Sequence, residues 1–225
     1  MAHHPNRAIQ CTLLTVAAFS TFGALVIAAG CGNNTNSTNG LPESKTNIGQ
    51  VGRGRYLVTS VGCTDCHNRG KSDPTDPKWL VGYIAGTPGQ PFDIGGFKTY
   101  PANLTPDATG LGSFTDRQVF NALRFGLDPS NTPDVIITST TPGQGNFPAT
   151  PHYLAPPMPW PAFRHLTDTD LWAMVAYLKH GLIANANVVP ASEGPPDFWA
   201  SHYTSAIVGP DFLDRYPTSQ ETLNP

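Results

Sequence analysis

The chain has 225 residues, with 13 Lys and Arg against 16 Asp and Glu, and its net charge of −3 offers no clustered basic surface for nucleic acid. Glycine and proline, 22 and 23 residues, make about a fifth of the sequence loop punctuation, so helices must be few and short. Four cysteines, two of them in the first 31 residues, leave no disulfide framework to hold a small scaffold.

Residues 1–30 read as an export signal. Met1–Arg7 carries one Arg, and Cys11–Gly30 (CTLLTVAAFSTFGALVIAAG) carries no charge. About twenty apolar residues also suffice to span a bilayer. Ala28-Ala29-Gly30-Cys31 resembles the lipobox of bacterial lipoproteins, in which the cysteine is lipidated and becomes the new N-terminus, although Leu is commoner where Ala28 stands. Lipidation at Cys31 is the expectation, with an uncleaved helix or a plain signal peptide as alternatives. All three place the domain on the periplasmic side of a bacterial membrane. Residues 31–47 read as a flexible tether, because Gly32–Gly40 (GNNTNSTNG) is entirely polar or glycine. Arg7 is the only charge lost with the signal, so the exported part carries −4.

The first helix is expected over Ile48–Thr59 (IGQVGRGRYLVT), with Ile48, Val51, Tyr56 and Val58 near one side and three glycines weakening it. Cys63-Thr64-Asp65-Cys66-His67 follows, on a short helical turn. Structural zinc needs four ligands, and the exported chain has no second CxxC, while His152, His165, His180 and His202 are scattered. A redox dithiol belongs in a βαβ setting, and no strand pattern is evident. Covalent haem c fits the spacing: two cysteines three apart each form a thioether, and the adjacent His67 is carried under the iron. A macrocycle also gives loops an apolar body to pack around.

Lys71–Ser113 and Asp128–Arg164 read as long loops, which a compact domain tolerates only if something organises them. Between them, Thr115–Phe125 (TDRQVFNALRF) is a helix with Thr115 as N-cap, Gln118 three residues on, Val119, Phe120 and Leu123 on one face, and Gly126 as its stop. In the second loop, Ala155–Pro161 (APPMPWP) has φ fixed by proline and too few backbone donors for helix. Such a stiff loop suits Met158 as a thioether ligand, with His152 as the alternative; His/His ligation would give a lower potential. The last helix, Thr167–His180, carries the stripe Leu171, Met174, Val175 and Leu178, which assigns Met174 to the core. Residues 184–225 form a Pro-rich C-terminal extension.

With CTDCH, the Met158 loop and the terminal helix in place, the chain resembles a class I c-type cytochrome. From Val51 to His180 it is similar to the cytochrome c domains of membrane-bound alcohol and gluconate-type dehydrogenase cytochrome subunits. The blocks that carry this are Arg55-Tyr56-Leu57, CTDCH, Asn103-Leu104-Thr105-Pro106-Asp107 through Gly112, Ala122-Leu123-Arg124-Phe125-Gly126, and Met158-Pro159-Trp160 through Asp168 and Asp170. The resemblance implies an all-α cytochrome c fold over residues 48–183, few short helices and long loops wrapped around one haem c, and His67 and Met158 on the iron. It also implies that Gly52 and Tyr56 face the stretch Met174–Leu178, and that a proline carbonyl, of Pro74 or Pro77, accepts from His67. Buried propionates need donors, and Arg124 and Trp160 are the candidates. Those dehydrogenase subunits usually carry three such domains and this chain has one, with an expanded stretch at 128–155.

The function so implied is electron transfer, not catalysis, with a dehydrogenase, an oxidase or another cytochrome as redox partner. The rival is a haem-based sensor or small-molecule enzyme with a displaceable sixth ligand. A structural role in a respiratory complex is the third.

Overall fold

The computed structural model describes residues 48–195, 197–208 and 219–222; the export signal, Cys31 and the tether lie outside them. Helix α1 spans Ile48–Ser60, α2 Cys63–His67, α3 Asp116–Phe125, α4 Trp160–Phe163 and α5 Asp168–Ala176, with a wide turn Tyr177–Gly181 continuing α5. A short α6 (Ser205–Val208) follows in the C-terminal extension. No helix among the described residues is long and apolar enough to cross a membrane.

The caps expected for α3 and α5 form. Thr115 accepts from the Gln118 backbone N–H while the Gln118 side chain accepts from the Thr115 N–H, and Gly126 ends the helix at φ 68°. Thr167 caps α5 through the Asp170 N–H. The α5 stripe Leu171, Met174, Val175 and Leu178 is buried with Leu57, Val58, Cys63, Val119, Phe120 and Leu123 in one core, and Met174 is fully enclosed there.

Three readings of the elements need correction. The crossing of α1 over α5 does not use Gly52 and Tyr56: Tyr56 is 60% exposed and a Cβ on Gly52 would meet nothing within 4 Å. The close approach is at Gly54, where a Cβ would lie 1.8 Å from the Ala173 carbonyl oxygen and 2.8 Å from Tyr177 Cβ. Leu57 and Val58 make the buried face, and Ile48 is exposed. The protein is mostly helical but not all-α, because β1 (Phe92–Ile94) pairs antiparallel with β2 (Phe97–Thr99), Ile94 opposite Phe97. Gly95 and Gly96, both at positive φ (59° and 93°), make the two-residue turn that joins them. Finally, α4 begins inside the proline-rich stretch: Pro161 sits in its first turn, where a missing N–H leaves no helix bond unmade.

The long loops are organised by polar side chains reaching backbone. Gln118 Nε2 donates to the Pro129 and Thr132 carbonyls, and Asn121 Nδ2 to Val135 O at 3.0 Å, pinning the 128–155 stretch onto α3. Asn68, fully buried beside His67, accepts from Leu80 N and donates to Lys71 O, which shapes the segment after α2. The C-terminal extension folds back: Glu193 exchanges both backbone hydrogen bonds with Lys98 on β2, and Trp199 packs edge-on against Phe97 with ring centroids 4.6 Å apart.

Candidate haem site

Helix α2 starts at Gly62, whose φ of 82° lets the chain turn sharply from α1 into CTDCH. One helical turn then brings Cys63, Cys66 and His67 together. Cys63 is buried within the core and Cys66 half-buried, and no disulfide joins them. Burial pushes the Cys63 thiol up to about 12, and burial with the neighbouring Asp65 raises Cys66. Neither is the low-pKa thiol that an attacking redox cysteine requires.

His67 is 9% exposed, and its Nδ1 lies 2.8 Å from the Ala102 carbonyl oxygen. A carbonyl can only accept, so Nδ1 carries the proton and Nε2 keeps its lone pair. Burial lowers the imidazole pKa and the Ala102 hydrogen bond opposes that in part, so the ring is held neutral, the form in which it binds a metal. The acceptor is therefore Ala102, not Pro74 or Pro77. Pro101, directly before it, uses its own carbonyl on the Tyr83 N–H (2.8 Å). Gly82 packs against this carbonyl at φ 82°, with a hypothetical Cβ only 2.5 Å from Ala102 O, and its N–H donates to His67 O at 2.9 Å. Asn68, Gly82 and Ala102 were not singled out from the sequence. The sequence offered only a weak signal for Gly82 and Ala102, a glycine between two bulky residues and an alanine after a proline.

Met158 is partly buried and packs against the core cluster that contains Cys63. Its N–H donates to Ala155 O (3.2 Å), closing a turn within the proline stretch. His152 is exposed, and its Nδ1 is held by Asp197 at 2.6 Å, so its ring is engaged at the surface.

Trp160 is buried to 2% exposure, lying parallel to Tyr153 at 5.7 Å and edge-on to Tyr203 at 4.9 Å, with Gly126 pressed against its face. The Tyr203 phenol lies beside the Trp160 indole N–H, a donor that lowers the phenol's pKa against the larger rise caused by burial. Trp160 and Arg164 also border a cavity of about 380 Å³ that Cys63, His67 and Met158 do not line. Arg124 is not a solvated helix residue: at 3% exposure it donates to the Arg164 carbonyl and the Asp168 carboxylate, tying α3 to the start of α5.

A haem c asks for two cysteine sulfurs one turn apart, an imidazole with a free Nε2, apolar walls and a buried donor for an anionic edge. Cys63 and Cys66, the Ala102-anchored His67 and the core around Leu57, Leu80 and Met158 fit the first three of these.

No protein-family model matches the chain. It is similar to the gluconate 2-dehydrogenase cytochrome c subunit of Pantoea cypripedii, 27% identical over 185 residues that make 80% of this chain and 35% of that subunit. The fructose dehydrogenase cytochrome subunit of Gluconobacter japonicus is 29% identical over 130 residues, 57% of this chain and 20% of that one. The alcohol dehydrogenase (quinone) cytochrome c subunit of Gluconobacter oxydans (strain 621H) is 28% identical over 148 residues, 64% and 24% respectively. The matched regions thus span between 20% and 35% of these relatives.

Proposed function

From a chain that is a relative of dehydrogenase cytochrome c subunits, we propose an exported, lipid-tethered electron carrier holding one covalent haem c. Cys63 and Cys66 supply the thioethers, His67 and Met158 the two axial ligands. The observation that carries the reading is His67 itself, buried, neutral and oriented by Ala102 with Nε2 left free. Bound haem supplies the one-electron couple. The chain's residues do the rest: Met158 on a proline-stiffened turn offers a soft sulfur, the apolar core excludes water, and Trp160 N–H would serve as a donor to a propionate. Arg124 supports that side of the site by clamping Arg164 and Asp168. No nucleophile or proton shuttle is needed, so the chain acts as a carrier and not as a catalyst. A membrane-bound dehydrogenase is the favoured partner, because each relative named above is a dehydrogenase subunit.

Two measurements test the reading. Acid-acetone extraction of the purified protein should leave the haem on the polypeptide, and Cys63→Ser with Cys66→Ser should abolish the covalent colour; haem passing into the solvent from the parent would sink the proposal. For the anchor, Cys31→Ser should stop processing after Gly30 and change detergent partitioning. A soluble, unlipidated mature form from the unaltered gene would remove the lipid tether and leave the carrier reading intact.

A further inference from the structure

We propose that the segment following the terminal helix is a positioning strap for His67, with Asn187 as its principal residue; this rests on His67 being the iron ligand. Asn187 lies after the sequence blocks that carry the resemblance, the last of which ends at Asp170. Its Nδ2 donates to two carbonyls, Val81 O at 2.8 Å and Tyr83 O at 2.9 Å, which uses both amide protons. Its backbone N–H donates to Thr109 Oγ1 at 2.9 Å. Two residues earlier, Asn185 O accepts from the buried Asn103 Nδ2 at 2.9 Å, and Asn185 Nδ2 donates to Pro77 O at 2.6 Å.

These bonds grip both arms of the loop that holds His67. Gly82, between the two carbonyls that Asn187 takes, donates to His67 O and abuts the Ala102 carbonyl too closely for any side chain. Asn103, held by the strap, is the residue after Ala102, and Leu104 N–H bonds to Leu80 O at 2.9 Å. A shift of Val81–Tyr83 is therefore passed by contact to the oxygen that accepts from His67 Nδ1. A firmer Nδ1–H···O=C bond makes an imidazole ligand more basic, which favours the ferric state. Loosening the strap should weaken that bond and raise the midpoint potential.

The test uses full-length, haem-loaded protein. Asn187→Ala removes the side chain; Asn187→Asp keeps its size and the backbone bond to Thr109 but has no protons for the two carbonyls, and it decides alone if Asn187→Ala fails to accumulate. In both, exchange of the His67 Nδ1–H and the Gly82 amide should be roughly five- to thirtyfold faster, the change expected from losing one or two kcal/mol of local restraint, and the potential should rise. A lower melting temperature with exchange and potential as in the parent overturns the proposal, since that is all a merely stabilising tail would show. A parent without a hyperfine-shifted His67 ring would sink the ligand reading instead, and the Gly82 amide would still decide the strap.

Discussion

Met158→Ala is expected to abolish the weak near-infrared charge-transfer band of the ferric protein, lower the midpoint potential and let the reduced haem bind carbon monoxide readily. The sulfur of a thioether is soft and stabilises ferrous iron, so its loss shifts the couple toward ferric. Axial ligands set haem potentials over ~0.8 V, and exchanging this one for water should cost on the order of 0.1 V. Folding should survive, because Met158 is only partly buried at the edge of the core. Met174→Ala should behave oppositely: the side chain is fully enclosed on α5, so its removal should destabilise by about 2–5 kcal/mol and keep the band. A band lost with Met174 and kept without Met158 would reverse the two roles. A band carried by neither would make His152 the ligand, which would first have to leave Asp197. Carbon monoxide binding to the unaltered protein at neutral pH would favour a sensor over a carrier.

Signals that depend on near neighbours in sequence were legible. CTDCH declares its own geometry, the Thr115/Gln118 box and Gly126 bracket α3, and the 3.6-residue stripe of α5 buries as written. The hairpin was missed: Ile94-Gly95-Gly96-Phe97 is a two-glycine turn between short apolar runs, but its three-residue strands are too short to show alternation. What stayed hidden depends on contacts far along the chain. The acceptor for His67 is chosen by how the 82–102 segment closes on α2, a choice no local motif encodes, and it passed over both nearby prolines for Ala102, 35 residues on. The strap at 185–187 is polar, aperiodic and close to prolines, a pattern indistinguishable from a solvated tail until the Asn187 amide is seen on the Val81 and Tyr83 carbonyls and the Asn185 carbonyl on the buried Asn103 amide.

The register of α1 on α5 gives a prediction in which two glycines two residues apart respond with opposite sign. Helix propensity alone favours alanine over an interior glycine by about 1 kcal/mol. At Gly52 nothing lies within 4 Å of a new Cβ, so Gly52→Ala should stabilise the protein by roughly 0.5–1 kcal/mol. At Gly54 the new methyl would sit 1.8 Å from Ala173 O and 2.6 Å from Ala173 C, backbone atoms that yield only if the helices part. The parting would disturb Leu57, Val58, Leu171 and Met174 together and strain the exposed Arg53–Asp170 pair (2.9 Å), itself worth little. Overpacking of this kind costs about 3 kcal/mol at the upper end of its usual range, which outweighs the propensity gain. Gly54→Ala should therefore lower the melting temperature of the haem-loaded protein by several degrees, roughly 4–8 °C for a net loss of about 2 kcal/mol in a domain of this size. Thermal unfolding of the two variants beside the parent settles the register: destabilisation at Gly52 with Gly54→Ala neutral would restore the Gly52 and Tyr56 contact expected from the motif and remove the crossing described at Ala173.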